Sequence, residues 1–394
     1  MTRLEPGLRA GELRVPVSKS HAHRVLIAEF LAGRTVSLVP DAADCDDVRA
    51  TKRCLAALAV GETTLDCGES GTTRRLLGPV AAALGRTVEW VMRGRLAARP
   101  QLDYPDMKAG VFRLPGDVSS QFVSGLLFAL PLLAGDSEIA LTTPLASRGY
   151  VDMTLDVLRA YGIAVAETPT GFRVPGGQTY RAPAEGPIIE TDWSGAAFGL
   201  ALVHLGNAIT FPEAARRGLS PASSQPDRVI GAHLGALAAP GPVTLDVDAC
   251  PDIFPVLTVV AAARAGETVF TGTHRLKLKE SDRTAAMADV LARFGVETCG
   301  DANTFTVQGT GRPFRGGAFT SFGDHRIAMS IAVGATRAAE AVEIDDSACA
   351  AKSYPTFFAD FENLSFCCGT AESRSPAPGV YPFFERRSAS HPDK

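Results

Sequence analysis

Lysine and arginine recur in this sequence where helices are predicted to begin. Lys19 and Arg24 lie in SKSHAHR, and Arg74 and Arg75 follow the turn GESGTT. Lys277, Lys279 and Arg283 surround KLKESDR, and Arg326 lies in DHRIAMS. A helix N-terminus already carries partial positive charge, so a cation in its first turn costs roughly 0.3–1 kcal/mol. A fifth start, DVSSQFVSG, has no cation but offers the hydroxyls of Ser119 and Ser120 and the amide of Gln121. Free N–H groups, small hydroxyls and cations together are what a bound anion requires. Each cluster alone has a plainer reading. Solvated cations near helix starts are common, Ser18 and Ser20 suit N-caps, and Glu280 and Asp282 suit a helix dipole. Asp252, after Pro251 and before an apolar run, also suits an N-cap. GESGTT lacks the spacing and the Gly-Lys-Ser/Thr ending of a phosphate-binding P-loop. Five such starts in a chain of net charge −4 nevertheless point to a protein that binds polyanions.

The elements that must present these starts follow a repeating plan: a loop, an Ala/Leu-rich helical stretch, a Gly, then a short β-branched run. HRVLIAEFLAG precedes RTVSLV, RLLGPVAAALG precedes RTVEWV, and VDMTLDVLRAYG precedes IAVAE. FPVLTVVAAARAG with ETVFTG, TAAMADVLARFG with VETCG, and HRIAMSIAVGAT with AVEIDD continue the series. Gly at the helix ends suits C-caps, and the following runs suit strands. The expected fold class is α/β (α+β), built from repeated supersecondary units without the short fixed period of a solenoid. Two seams, VPVSKS and GPIIETDW, read as crossings between lobes. The first lobe is expected to be discontinuous, residues 1–15 plus 191–365, and the second to span 16–190. Residues 366–394, with four Pro and four Ser in 29 positions, read as a mobile C-terminal tail.

Composition bounds the partners. At 394 residues the chain exceeds one ordinary core, and 46% apolar with 21% charged residues is typical of globular domains. The net charge of −4 and only 7% aromatic residues argue against a basic face or base-stacking platform for nucleic acid. The longest nearly apolar stretch, residues 122–134, contains Pro131 and falls short of the ~20 residues a bilayer span needs. MTRLEPGLRAGELRV has no apolar leader, so a cytoplasmic location is expected, with the eight cysteines as thiols. There is no CxxC pair, and His21 and His23 point apart on a helix, so no metal site is expected.

Taken in order, VSKSHAHR, CGESGTTRRLL, SSQFVSGLLFALP, SRGYVDMTLDVLRAYG, DWSGAAF, KESDRTAAM and DHRIAMS resemble one family over about residues 15–358. It is that of the 5-enolpyruvylshikimate-3-phosphate (EPSP) synthases, the 3-phosphoshikimate 1-carboxyvinyltransferases. KESDR with DHRIAMS is the most specific part, and SSQF before YVDMTL narrows it further. The resemblance implies a two-lobed enolpyruvyl transferase fold, each lobe made of three βαβαββ units, with the active site in the cleft between them. It implies transfer of the enolpyruvyl group of phosphoenolpyruvate to the 5-hydroxyl of shikimate 3-phosphate, releasing phosphate. That step belongs to the shikimate pathway of chorismate and aromatic amino acid biosynthesis and needs no metal or organic cofactor. The expected partners are those two small molecules, not nucleic acid or a membrane, and the chain is expected to be a monomer.

By position, the resemblance places shikimate 3-phosphate on Ser20, Arg24, Ser119, Ser120, Gln121 and Ser147, with Lys19, Asp252 and Lys279 beside it. The phosphoenolpyruvate clamp falls on Lys19, Arg75, Arg99, Gln121, Arg283, Arg326 and Lys352, with the backbone of Gly71 and Thr72 close by. Asp252 is implied as the base toward the hydroxyl. Glu280 and Lys352 are implied at the methylene proton, which of them donates being open, and Lys19 joins the catalytic set. An acid role for Glu280 requires an environment that compensates the surrounding cations.

The departures are local. VSKS stands where the family has Gly before the Ser, Glu69 replaces an amide beside a carboxylate-binding site, and Arg74 is unexpected there. Arg99 lies in GRLAARP, a degraded motif. Residues 54–68 and 100–115 are short, so the second lobe is expected to lack parts of two repeats. Two other readings stay open. A UDP-N-acetylglucosamine enolpyruvyl transferase-like enzyme would use a loop cysteine, although none lies between Cys67 and Cys250. A non-catalytic two-lobed anion-binding protein would also explain the cations.

Overall fold

A computed structural model of the chain describes residues 1–367 except 36, 37, 40, 42 and 187. Short polar caps decide where its helices begin. α1 (Lys19–Leu31) is capped by Ser18, whose Oγ accepts from the His21 N–H. α2 (Asp46–Ala59) has no side-chain cap but places Asp46 and Asp47 in its first turn, where the helix dipole favours them. α3 (Gly71–Ala83) is capped by Ser70 and α4 (Ser120–Ala129) by Ser119. α5 (Arg148–Ala160) starts at Ser147, which is left-handed at φ 52° and makes no cap bond.

Seven helices follow: α6 (Trp193–His204), α7 (Glu213–Gly218), α8 (Ile230–Leu237), α9 (Phe254–Ala263), α10 (Arg283–Phe294), α11 (His325–Ala335) and α12 (Phe357–Glu362). Asp192, Asp282 and Asp324 cap α6, α10 and α11. α10 ends on the left-handed Gly295, as its Gly signal predicts.

The described strands form five sheets. Val111–Leu114, Ser137–Leu141, Gly171–Val174 and Ala166–Thr168 lie side by side in that order, a parallel pair followed by two antiparallel pairings. Val243–Asp246, Ala265–Thr271, Thr304–Thr310 and Glu297–Gly300 repeat the same order and directions. With α4 and α5 in one, and α9 and α10 in the other, these are two full βαβαββ units. Thr64–Gly68 pairs in parallel with Glu89–Met92 and with nothing else. Two three-stranded sheets gather the chain ends, pairing Thr2–Leu4 with Val342–Ile344 and Arg9–Glu12 with Ala208–Thr210 and Ser365–Phe366.

Two elements differ from the sequence reading. The run at 34–39, predicted as a strand, holds no strand among its described residues, and Val39 faces solvent. Phe366, assigned to the tail, instead closes a strand, with the Arg9 guanidinium 3.7 Å from its ring centroid. The rest of that tail, residues 368–394, lies outside the described residues. Among the described residues no helix is long and apolar enough to cross a membrane.

Buried apolar side chains form two separate cores. One joins Leu4 and Leu13 to residues between Trp193 and Leu364, including Phe254, Phe270 and Phe357. The other lies between Ala22 and Tyr180, around Leu127, Phe128 and Tyr161. The chain passes between them twice, and the passages lie side by side. Ser18 N donates to Glu190 O at 2.7 Å, and Asp192 N donates to Pro16 O at 3.0 Å.

Within the second core, α3 and α4 approach closely enough that Gly125 has no room for a side chain. A Cβ there would sit 2.4 Å from the Arg75 carbonyl oxygen and 2.8 Å from Pro79 Cγ. Gly125→Ala is therefore expected to lower stability by about 1–3 kcal/mol through overpacking, despite alanine's better helix propensity. Urea unfolding measures it, and an unchanged midpoint would show the contact to be slack.

Candidate active site

The two cores enclose a cleft with a small cavity, about 90 Å³, lined from both sides. α1 supplies Lys19, Ser20 and Arg24, and α3 supplies Thr72 and Arg75. Ser119, Ser120 and Gln121 come from the start of α4, and Ser147 from the start of α5. Opposite them stand Asp252, Arg275, Lys279 and Glu280, in the loops before α9 and α10. Arg99 and Tyr150 complete the wall. The converging helix starts bring twelve of the sixteen expected site residues onto one surface. The other four, Gly71, Arg283, Arg326 and Lys352, do not line the cavity itself. At Gly71 a Cβ would sit 2.9 Å from Arg75 Nη1 and 3.2 Å from Arg99 Nη1, so its bare backbone lets two guanidinium groups approach.

The carboxylates do not act as caps. Ile253 occupies the N-cap of α9, and Asp252 turns instead to accept from Arg283 Nη1 at 2.8 Å. Lys279 Nζ is 3.5 Å and Arg326 Nη2 3.9 Å from the same carboxylate. Glu280 precedes α10 rather than lying in its first turn, and accepts from Arg283 Nη2 at 3.1 Å. Burial opposes ionisation of both groups, but the cations outweigh it. Lys279, Arg283 and Arg326 hold Asp252 well below the carboxylate range, and Arg99 and Arg283 do the same for Glu280. Both are ionised in the free protein.

The cations are less well satisfied. Arg326 is 2% exposed, and its Nε and Nη1 have no hydrogen-bond partner among the described residues. Arg99 Nε is likewise buried without one. A buried donor left unpaired costs about 1–3 kcal/mol, a penalty a bound anion would remove. Arg75 donates to Gln121 Oε1 at 2.9 Å and to the Pro100 carbonyl at 3.2 Å, while Gln121 Nε2 reaches Thr72 Oγ1 at 2.9 Å. Burial, with Arg99 nearby, brings the Arg75 pKa down to about 9. Arg24 braces α1 against α5, donating to Thr154 Oγ1 at 2.7 Å and to the Tyr150 carbonyl at 2.9 Å, and burial brings its pKa down to about 10.

Two structurally central residues escaped the sequence reading. Asp47, on α2, accepts from Lys19 Nζ at 2.9 Å and lies 3.6 Å from Lys352 Nζ. It joins one cation from each core, and Lys352 also donates to the Glu69 carbonyl at 3.1 Å. Asp324, fully buried, accepts from Ser281 Oγ at 2.9 Å and Arg283 Nε at 3.0 Å while capping α11, which binds KESDR to DHR. Both stand at helix starts, where an acid needs no partner beyond the helix itself to account for it. Arg74 points away from the cleft, where it pairs with Asp103 and stacks over Trp90 at 4.7 Å. Glu69 keeps its side chain largely exposed, 3.8 Å from Lys352 Nζ.

A cleft of helix starts between two sheet-built bodies is the architecture of the enolpyruvyl transferases. An EPSP synthase of Acinetobacter baumannii superposes with a TM-score of 0.70 at 22% identity, covering 92% of this chain and 98% of that one. An enolpyruvyl transferase of Streptomyces tendae gives a TM-score of 0.61 at 13% identity, covering 93% and 97%. The sequence model of EPSP synthase (3-phosphoshikimate 1-carboxyvinyltransferase) matches residues 99–361. The 3-phosphoshikimate 1-carboxyvinyltransferases of Clostridium kluyveri and Clostridium acetobutylicum are 35% and 33% identical, each across 92% of this chain and 96% of its own length. The chain belongs to the EPSP synthase family.

Asp47 sets a test of the electrostatics. Burial alone would raise its pKa, but Lys19 and Lys352 bring it below the ordinary value. A carboxylate depressed in this way stabilises the fold above its unfolded pKa of about 3.9, and that contribution is lost as pH falls through the folded value. Asp47→Asn is expected to cost about 3 kcal/mol at pH 7 by stranding two buried ammonium groups. It should also flatten the acid limb of the stability–pH curve. Urea titrations of both proteins at several pH values between neutral and acid test this, and parallel curves would refute it.

Proposed function

We propose that this chain is an enzyme that transfers the enolpyruvyl group of phosphoenolpyruvate to the 5-hydroxyl of shikimate 3-phosphate, releasing phosphate. Besides family membership, the observation that carries the reading is Arg326, a buried guanidinium with two unpaired nitrogens 3.9 Å from the Asp252 carboxylate that Arg283 also binds. A buried fork of free donors suits a planar carboxylate or a phosphate. The lobes are residues 1–15 plus 191–365 and residues 16–190, and the substrates meet between them.

Shikimate 3-phosphate lies against Ser20, Arg24, Gln121 and the hydroxyls of Ser119, Ser120 and Ser147, with Lys279 and Asp252 facing its ring. Phosphoenolpyruvate lies against Arg75, Arg99, Arg283, Arg326 and Lys352 and the backbone of Gly71, and Lys19 stands between the two. The 5-hydroxyl gives its proton to Asp252, which is ionised from the outset and so ready to accept it. The methylene carbon takes a proton, C2 becomes electrophilic, and the hydroxyl oxygen attacks it to form a tetrahedral ketal. Collapse breaks the C2–O bond to phosphate, and the new methyl group returns a proton to restore the vinyl group. Glu280 is held ionised, so it has no proton to give first, and the methylene proton is assigned to Lys352.

Phosphate release should require both substrates in a continuous phosphate assay. Asp252→Asn and Lys352→Met should each lower kcat by at least ~10²-fold, the usual size of a general acid–base contribution. Arg326→Met should lower kcat/KM for phosphoenolpyruvate by at least ~2 kcal/mol, as for other desolvated charge contacts. Binding of both substrates without phosphate release would leave only anion binding. Turnover with UDP-N-acetylglucosamine instead would establish the other enolpyruvyl transferase activity.

A further inference from the structure

Arg74 takes no part in the roles above, yet it lines a second cavity of about 390 Å³, on the face of α3 turned away from the cleft. In the two full βαβαββ units the second helix lies against the first, α5 on α4 and α10 on α9. After Thr64–Gly68, α3 and Glu89–Met92 no second helix follows. A 3₁₀ turn, Gly94–Ala98, and the irregular residues 99–110 lead to the next strand instead. Arg74, Gly78 and Ala82, spaced four apart on one face of α3, therefore border open space, with Trp90 and Leu102 as apolar walls. Arg86, Asp103 and Asp106 line the same cavity and are exposed to water. The Arg74 side chain is 5% exposed, and its guanidinium carbon lies 4.7 Å from the Trp90 ring centroid. Gly78 makes room for it, since a Cβ there would sit 2.5 Å from Arg74 Nη1. Arg74 Nη2 meets Asp103, whose own side chain is 79% exposed, while Nε is buried with no hydrogen-bond partner among the described residues. The Tyr104 hydroxyl, on the loop side of the cavity, is also buried without a partner.

We propose that this cavity is a second small-molecule site, one that takes a singly charged carboxylate on a flat apolar body, with Arg74 as its anchor. Nε and Nη2 lie on one edge of the guanidinium fork, the edge that matches the two oxygens of a carboxylate. Asp103 uses only half of that edge. A ligand carboxylate fills both positions, and Asp103 returns to water at little cost because its side of the pair is already exposed. Stacking on Trp90 keeps the guanidinium plane in place during the exchange. Trp90 and Leu102 then cover the apolar body of the ligand, and the Tyr104 hydroxyl is left to bond a polar substituent on it. Charged groups at the cavity number two of each sign, Arg74 and Arg86 against Asp103 and Asp106, so one added negative charge is accommodated more readily than two. That favours a carboxylate over a phosphate ester. The site stands independently of the reaction assigned to the cleft, which Arg74 does not face.

Benzoate is the probe, titrated into the full chain and followed by ligand-observed NMR. The wild-type protein is expected to bind it with a Kd of about 1 mM or tighter. Acetate, which lacks the ring, and benzyl alcohol, which lacks the charge, should each bind at least ~10-fold more weakly. Arg74→Met keeps the apolar bulk of the side chain, and Gly78→Ala keeps the charge but pushes the guanidinium off its seat. Each should weaken benzoate at least ~10-fold. Arg326→Met, which alters the cleft, should change benzoate affinity less than ~2-fold. Should Arg74→Met fail to fold in a circular dichroism melt, Gly78→Ala decides, because alanine is the better helix former at that position. No binding at ~10 mM benzoate overturns the proposal, as does acetate binding as tightly as benzoate. Benzoate affinity that survives both α3 substitutions also overturns it, and affinity lost in Arg326→Met instead places the ligand in the cleft.

Discussion

Arg283 is the charge around which the cleft is assembled. Its side chain is 1% exposed and touches Asp252, Glu280 and Asp324 together. Taking a guanidinium out of water opposes its charge, and three carboxylates more than offset that, so its pKa rises above the ordinary value. The same arrangement keeps Asp252 and Glu280 ionised and fixes their geometry. Because Asp324 also caps α11, the starts of α10 and α11 cannot move apart without exposing a buried ion pair. Arg326, two residues beyond Asp324, donates its backbone N–H to that capping carboxylate at 2.9 Å, while its guanidinium keeps Nε and Nη1 unpaired. The carboxylates thus converge on one arginine and leave two nitrogens of another unpaired.

The repeated βαβαββ unit explains why so many helix starts meet. A helix following a strand in such a unit begins at that strand's C-terminal end, and parallel neighbours begin their helices at the same edge of the sheet. α4 and α5 therefore open on one side of the cleft, and α9 and α10 on the other. Cations placed at those starts converge although they lie far apart in the chain. Lys352 crosses the cleft in this way, lying 3.6 Å from Asp47 and donating to the Glu69 carbonyl.

Much of this was legible in the sequence, and the gaps have physical causes. Helix starts and Gly-ended helices were visible because caps and C-cap glycines act over three or four residues. Contacts over long separations were not: Asp47 meets Lys352, and Asp324 meets Arg283, through the fold alone. The N-cap reading of Asp252 failed because three cations compete for its carboxylate more strongly than one backbone N–H does. Arg75 was assigned to the clamp and Arg74 read as unexpected beside it; adjacent helical residues point about 100° apart, so only Arg75 faces the cleft. Phe366 looked like tail because a two-residue strand leaves no periodicity. Arg275, in a loop between a strand and a 3₁₀ turn, had no pattern to announce it.

The pairing of Thr2–Leu4 with Val342–Ile344 has a consequence for how the chain reaches its native state. These strands meet in one sheet although the whole core between Ala22 and Tyr180 lies between them in sequence. During synthesis the N-terminal strand must wait, unpaired, until almost everything else has emerged. The core between Ala22 and Tyr180 draws its buried apolar side chains from residues made early, and is free to condense first. Its completion draws the two crossings side by side and shortens the loop that the first lobe must still close.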